Sequence, residues 1–174
     1  MGKAVAVSMV SIALVVRTAA AQEAAPPPIG RSLTATAGAG NSTGGLGGQI
    51  AAHFAGGRAA AVLGIGYVPP MDQLGASGLA VAVGVRVYDG VRSNRPFLEL
   101  SRGVVAVDDF WADGPDANVR YGPVVLVGYE WMRPSGLTIA VGVGVGVAGD
   151  RSPLDEMRPR PAATFGIGKT WRRK

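Results

Sequence analysis

The stretch Leu137-Thr-Ile-Ala-Val-Gly-Val-Gly-Val-Gly-Val-Ala148 decides the fold. Its odd positions are large aliphatics: Leu137, Ile139, Val141, Val143, Val145 and Val147. Its even positions are small: Thr138, Ala140, Gly142, Gly144, Gly146 and Ala148. Successive side chains of a strand point to opposite faces, so this period of two predicts a strand. One face is wholly apolar and the other nearly bare. Such a strand needs apolar surroundings on one side and a tightly curved interior on the other.

The same alternation recurs along the chain and predicts eight strands. The first, about 31–39, sets Leu33, Ala35 and Ala37 against Ser32, Thr34 and Thr36. The second, about 46–55, sets Ile50, Ala52 and Phe54 against Gln49, Ala51 and His53. The third and fourth are 58–68 and 79–88, with Leu63, Ile65 and Tyr67, then Val81, Val83 and Val85, on the greasy parity. The fifth is about 95–106, the sixth 120–132, the seventh the opening stretch and the eighth 162–171. Gly56-Gly57, Asp89-Gly90 and Arg133-Pro-Ser-Gly136 are tight-turn compositions. The remaining links, 40–45, 69–78, 107–119 and 149–161, are longer. Short turns at one end and longer loops at the other is the layout of an outer-membrane barrel.

The first residues bear on the compartment. Met1-Gly-Lys3 is a positive start, Ala4–Val16 an apolar run, and Ala19-Ala-Ala21 offers a cleavage site before Gln22. Residues 1–21 are therefore expected to be a signal peptide and 22–30 a Pro-rich linker. The barrel is expected over 31–171, with Arg172-Arg-Lys174 as a basic tail. The other apolar runs are too short to span a membrane as helices and have the wrong period, so a membrane-embedded chain must be a closed barrel.

The 174 residues suit one domain. Glycine, at 27 residues, far exceeds the usual share of about 7%. With no cysteine there is neither a disulfide framework nor a thiolate metal site. The net charge of +5 could suit nucleic acid, but the basic residues do not interleave with aromatics on one face, so no nucleic-acid partner is expected. The Gly-x-Gly pairs precede no helix and no Gly-Lys-Ser/Thr occurs, so no nucleotide or other cofactor is expected.

Two positions fit badly. Arg102 shares the greasy parity of Leu98, Leu100 and Val104, and a bulge at Ser101–Gly103 would re-aim it. Pro123 falls early in the sixth strand, so regular pairing is expected to begin at Val124.

The export signal, the strand-turn rhythm, Gly128-Tyr-Glu-Trp131 before the Gly-Val stretch, and the near-terminal Trp171 resemble the small outer-membrane β-barrels of the OmpA/OmpX type. The resemblance spans roughly Arg31 to Trp171. It implies an all-β, eight-stranded antiparallel up-and-down transmembrane barrel with a filled interior, in the outer membrane of a Gram-negative cell. Its implied partners are outer-membrane lipid or lipopolysaccharide and the barrel-insertion machinery, and it implies a monomer. The basic residues after Trp171 depart from many relatives.

Within such a barrel the inward parity carries Gln49, His53, Arg58, Arg86, Tyr88, Glu99 and Glu130. Buried charges must pair, so Arg86 is expected to meet Glu99, with Glu130, Arg58 and His53 in the same interior polar network. Tyr67 and Tyr121 at the loop end, and Phe54, Tyr129, Trp131 and Trp171 at the turn end, are expected to form two aromatic girdles. Lys169, two residues from Trp171, is expected to snorkel.

No catalytic motif is apparent, and a non-enzymatic, structural or loop-presenting role is expected. A competing reading is a lipid-modifying barrel enzyme of the PagP or PagL type, but the sole histidine, His53, lies at the turn end, the wrong height for outer-leaflet lipid. Another is a secreted soluble barrel around an apolar ligand, which would leave bare glycine faces in water. The acidic loop Asp108–Asp116 lacks the spacing of a calcium site, and no metal is expected there. Arg151, Arg158 and Arg160 are candidate contacts for lipopolysaccharide phosphate.

Overall fold

A computed structural model of the chain describes residues 31–68, 78–107, 119–147 and 159–172. The expected signal peptide and linker, the acidic loop, Arg151, Arg158, Arg173 and Lys174 lie outside these residues. The strands are β1 (Ser32–Gly40), β2 (Gly45–Phe54), β3 (Ala59–Val68), β4 (Gly78–Tyr88), β5 (Arg95–Val107), β6 (Val119–Met132), β7 (Leu137–Val147) and β8 (Pro159–Arg172). They close into one antiparallel up-and-down barrel in chain order, with β8 returning to β1. Arg172 is the last residue of β8 and lies opposite Ser32, so the barrel takes in the first residue of the expected tail.

The register is staggered. The path of paired residues leaving β4 at Tyr88 runs through Phe97, Gly128, Gly142, Thr164, Gly40 and Gly45. It returns to β4 beside Gly78, at that strand's other end. A closed sheet tilts its strands in this way, and with eight strands the interior is only wide enough for side chains.

The parity read from the sequence holds on every strand. Leu33, Ile50, Leu63, Val83, Leu98, Val127, Val143 and Phe165 point outward and are exposed; Thr34, Gln49, Ala60, Arg86, Glu99, Leu126, Ala140 and Thr170 point inward and are buried. Large aliphatics thus stand on the outside of the closed sheet.

One connection departs from expectation. Residues 40–45 were expected as an outer loop, but Asn41–Thr43 form a single 3-10 turn folded into the barrel mouth, with Ser42 and Thr43 buried. Gly44 closes this plug in the left-handed region, at φ 69°, which suits glycine. Asn41 spans the mouth, its Nδ2 donating to Val104 O (2.5 Å) and its Oδ1 accepting from Ala163 N (2.9 Å). The plug occupies space that the bare inner face of β3 provides: a Cβ at Gly64 would collide with Ser42 O, and one at Gly66 with Thr43 O.

The bulge also differs from expectation. The shift in the β5–β6 register lies between Val104 and Ala106, not at Ser101–Gly103. Arg102 therefore stays outward and exposed, paired with Val83 on β4 and Pro123 on β6. Val105, left unpaired at the bulge, keeps the inward parity of Glu99 and Ser101 and packs over Gly146. Pairing of β6 with β7 begins at Val124, as Pro123 requires, whereas pairing with β5 continues to Val119.

Replacing Gly64 by Val should unseat the plug and destabilise the barrel by about 1–3 kcal/mol, because the added atoms meet backbone that cannot give way. Gly78→Ala, where a Cβ meets nothing within 4 Å, should change stability by less than about 0.5 kcal/mol. Denaturant unfolding of the two variants checks the contrast.

Candidate functional site

Four charges share the lumen: Arg86 on β4, Arg95 and Glu99 on β5, and Glu130 on β6, none more than 2% exposed. Cross-strand register brings the first pair together, since Arg86 lies directly opposite Glu99. Arg86 grips Glu99 Oε2 through Nε (2.9 Å) and Nη2 (2.6 Å). The other oxygen of Glu99 accepts from the plug, Ser42 Oγ at 2.6 Å. Arg95 opposes Glu130 in the same way, with Nε at 3.2 Å and Nη2 at 2.9 Å from Oε1. Glu130 Oε2 accepts from Tyr88 Oη (3.1 Å) and lies 3.6 Å from Arg86 Nη1. Two guanidinium groups and two carboxylates balance formally, as burial demands.

Aromatic rings separate the layers. The Arg86 guanidinium lies 4.0 Å from the Phe97 ring centroid, and that of Arg95 lies 3.4 Å from the Tyr88 centroid. Both are within range for cation–π attraction. Glycine opposite makes room: a Cβ at Gly142 would stand 3.3 Å from Phe97 Cζ, and one at Gly128 would collide with the same ring.

A second chain of contacts runs to the turn end. Arg95 Nη2 lies 3.1 Å from His53 Nδ1, and His53 Nε2 lies 3.0 Å from Thr34 Oγ1. Thr34 Oγ1 is 2.6 Å from Thr170 Oγ1, which is 2.7 Å from Thr138 Oγ1. Thr138 donates to Gly136 O at 3.1 Å. The donor inventory sets the direction. Arginine can only donate, so Nδ1 accepts and the ring is neutral with its proton on Nε2. At the other end the Thr138 proton is committed to Gly136, so Thr170 donates to Thr138 and Thr34 donates to Thr170. Both ends demand the same order, with every proton pointing toward the turn.

Of the residues expected in the interior network, Arg86, Glu99, Glu130 and His53 are brought together. Arg58 is not. It is exposed in the turn after β2, and its carbonyl accepts from Tyr88 N at 2.9 Å. The turn carries the chain away from the wall there, so strand parity no longer sets the direction of its side chain. Arg95 occupies the role instead, fully buried at the first position of β5, and also donates through Nη1 to Gly57 O (2.5 Å). The signal was present: Arg95, Phe97 and Glu99 share one parity. The Thr34–Thr170–Thr138 chain has no comparable linear signal, because its members come from β1, β8 and β7.

The outward face contrasts sharply. Among the described residues its charged side chains between the strand ends are Arg102 and Lys169; the rest of that parity is Val, Leu, Ile, Ala, Phe, Tyr, Trp, Pro and Gly. Tyr67 and Tyr121 stand exposed toward the end with long connections, Trp131 and Trp171 toward the end with tight turns. Tyr129 has the outward parity but is only 8% exposed, because the Trp131 ring lies across it at 4.7 Å between centroids. Arg160 is exposed near the start of β8, opposite Gly146.

The charged groups of the lumen satisfy one another, whereas Ser32 Oγ, Gln49 Nε2 and Ser101 Oγ are buried with no hydrogen-bond partner among the described residues. Ser42 is bonded to Glu99 and His53 to Arg95 and Thr34, so these two nucleophile- and base-type side chains are each engaged elsewhere. Among the described residues no cluster of three or more His, Asp or Glu side chains is placed to hold a metal.

Glu130→Gln removes the charge shared by Arg86, Arg95 and Tyr88, and should cost about 3–5 kcal/mol, the usual effect of stranding a buried partner. Arg58→Gln should stay within about 0.5 kcal/mol. Equilibrium unfolding of both proteins measures the difference.

Comparison of the chain with family models, with curated proteins and with solved structures found no match.

Proposed function

We propose that the protein is a non-enzymatic integral outer-membrane β-barrel, a structural element that holds its longer connections at the cell surface. The observation that carries this reading is the inverted distribution of polarity. Arg86, Arg95, Glu99 and Glu130 are gathered inside and neutralised, while the outer wall, apart from Arg102 and Lys169 among the described residues, is apolar, with tyrosines toward one rim and tryptophans toward the other. In water such a wall exposes far more contiguous apolar surface than soluble monomers tolerate. In a bilayer the same wall is matched to its solvent, closure leaves no sheet edge, and the aromatic rings suit the two interfaces.

The export-type N-terminus supports the compartment. The even strand count puts both barrel ends of the chain on the side of the tight turns, which is the periplasmic side in this reading. A loop-presenting role rather than catalysis is favoured because the lumen's charges, His53 and Ser42 are engaged with one another. On this reading the surface partners are outer-membrane lipid and lipopolysaccharide, the insertion machinery delivers the chain, and the barrel is a monomer.

The test is fractionation of expressing cells followed by gel migration with and without heating in detergent. A folded barrel in the membrane fraction shifts on heating; recovery from the soluble periplasm without detergent overturns the reading. Val143→Arg sharpens the result. On the lipid face it should cost about 2–4 kcal/mol near the midplane and reduce insertion. On a water-exposed wall the same charge would improve solubility.

A further inference from the structure

The wall of the barrel is incomplete at one place. β4 and β5 pair only from Val83↔Arg102 to Tyr88↔Phe97. Above that, β4 continues to Gly78 and stays paired with β3, while β5 continues to Val107 and stays paired with β6. No ladder joins the two upper halves. The plug stands behind this seam: a Cβ on Gly103 would lie 2.9 Å from Asn41 O and 3.0 Å from the Ala82 Cβ. Val104 O is capped from inside by Asn41 Nδ2.

Arg102 is the last paired residue below the seam, and it faces outward. Its neighbours across the ladders, Val83 and Pro123, and those along its own strand, Leu100 and Val104, are apolar. The outward face offers it no carboxylate among the described residues. Tyr121 is paired with Val104, so Arg102 starts two residues toward the barrel middle from the level of the upper aromatic residues. An arginine side chain is long enough to climb that distance and deliver its head to the interface.

We propose that Arg102, at the foot of the β4–β5 seam and below Tyr121, binds a phosphate group on the headgroup of an outer-leaflet lipid. The site rests on the outer-membrane reading and deepens it. The argument is charge complementarity: a cation leaving an apolar wall at interfacial depth, with no carboxylate on that face among the described residues, is stabilised by an anion, and the lipid headgroup supplies one. The guanidinium fork matches phosphate oxygens in pairs, which an ammonium does not. Above it, beside the seam, Leu79 and Val81 on β4 present exposed apolar side chains. Lys169 is the natural comparison, because it lies toward the other rim, paired with Ala35 and Leu137.

The test uses the full chain, inserted in zwitterionic phosphatidylcholine vesicles that carry either diphosphorylated lipid A or its dephosphorylated form. Co-flotation with the vesicles is scored first. Lipid retained on the barrel after mild detergent release is then counted by native mass spectrometry. The wild type should retain the phosphorylated form with about a tenfold preference, the scale of a charge-assisted hydrogen-bonded contact. Arg102→Gln should lose that preference, Arg102→Lys should keep part of it, and Lys169→Gln should leave it intact. Heat-modifiable migration certifies that each variant is folded; if Arg102→Gln fails this check, the wild type and Arg102→Lys decide. Co-flotation with no wild-type preference, or an unchanged preference in folded Arg102→Gln, means that Arg102 snorkels to bulk water only and overturns the site alone. Failure of the wild type to co-float overturns the outer-membrane reading, and the site with it.

Discussion

Glu130 is the joint on which the interior turns. One carboxylate receives the guanidinium of Arg95 on one oxygen, and the Tyr88 hydroxyl and the edge of Arg86 on the other. Through Arg86 it is linked to Glu99 and the plug; through Arg95 it is linked to His53 and the threonine chain. Seven of the eight strands, all but β3, and the plug thus answer to a single buried charge. A low-dielectric lumen enforces this economy, since an ion left without a partner there is costly.

Volume is the second constraint, and glycine is how the chain meets it. The inner parity sets large polar and apolar side chains against bare glycine. The Phe97 ring lies over Gly128 and Gly142, Val105 over Gly146, and the plug backbone over Gly64 and Gly66. The bare face of the Gly-Val strand is filled by an aromatic ring and the valine at the bulge, while the bare face of β3 accommodates the backbone of the chain itself.

The fold was legible because period two is a one-dimensional signal, and the inward or outward sense of nearly every strand residue follows from it. Elements that break the period were not legible. The turn before Arg58 resets its direction, and the shift between Val104 and Ala106 lies past the position where Arg102 first signalled strain. The plug is made of Asn, Ser, Thr and Gly, a composition that reads equally well as an exposed loop. Only the closed geometry reveals that its polar groups have partners on β5 and β8. Within the site the Arg86–Glu99 pair was accessible, because the two residues flank the β4–β5 turn on one parity and must meet. The hydroxyl chain was not, because Thr34 and Thr170 are joined only by closure.

That closure has a consequence for assembly. The β1–β8 junction joins the two ends of the barrel segment and is the least local pairing in it, so its entropy cost is paid late in folding. Thr34 and Thr170 sit opposite each other across this junction, and their hydroxyls bond only in this register. A slip of two residues would preserve the inward and outward faces and every apolar contact type, yet it would carry one hydroxyl a full pleat away and leave the Thr34 hydroxyl without Thr170, its acceptor. The threonines therefore act as a register key for the final seam. They distinguish the native closure from alternatives that hydrophobic pattern alone cannot tell apart.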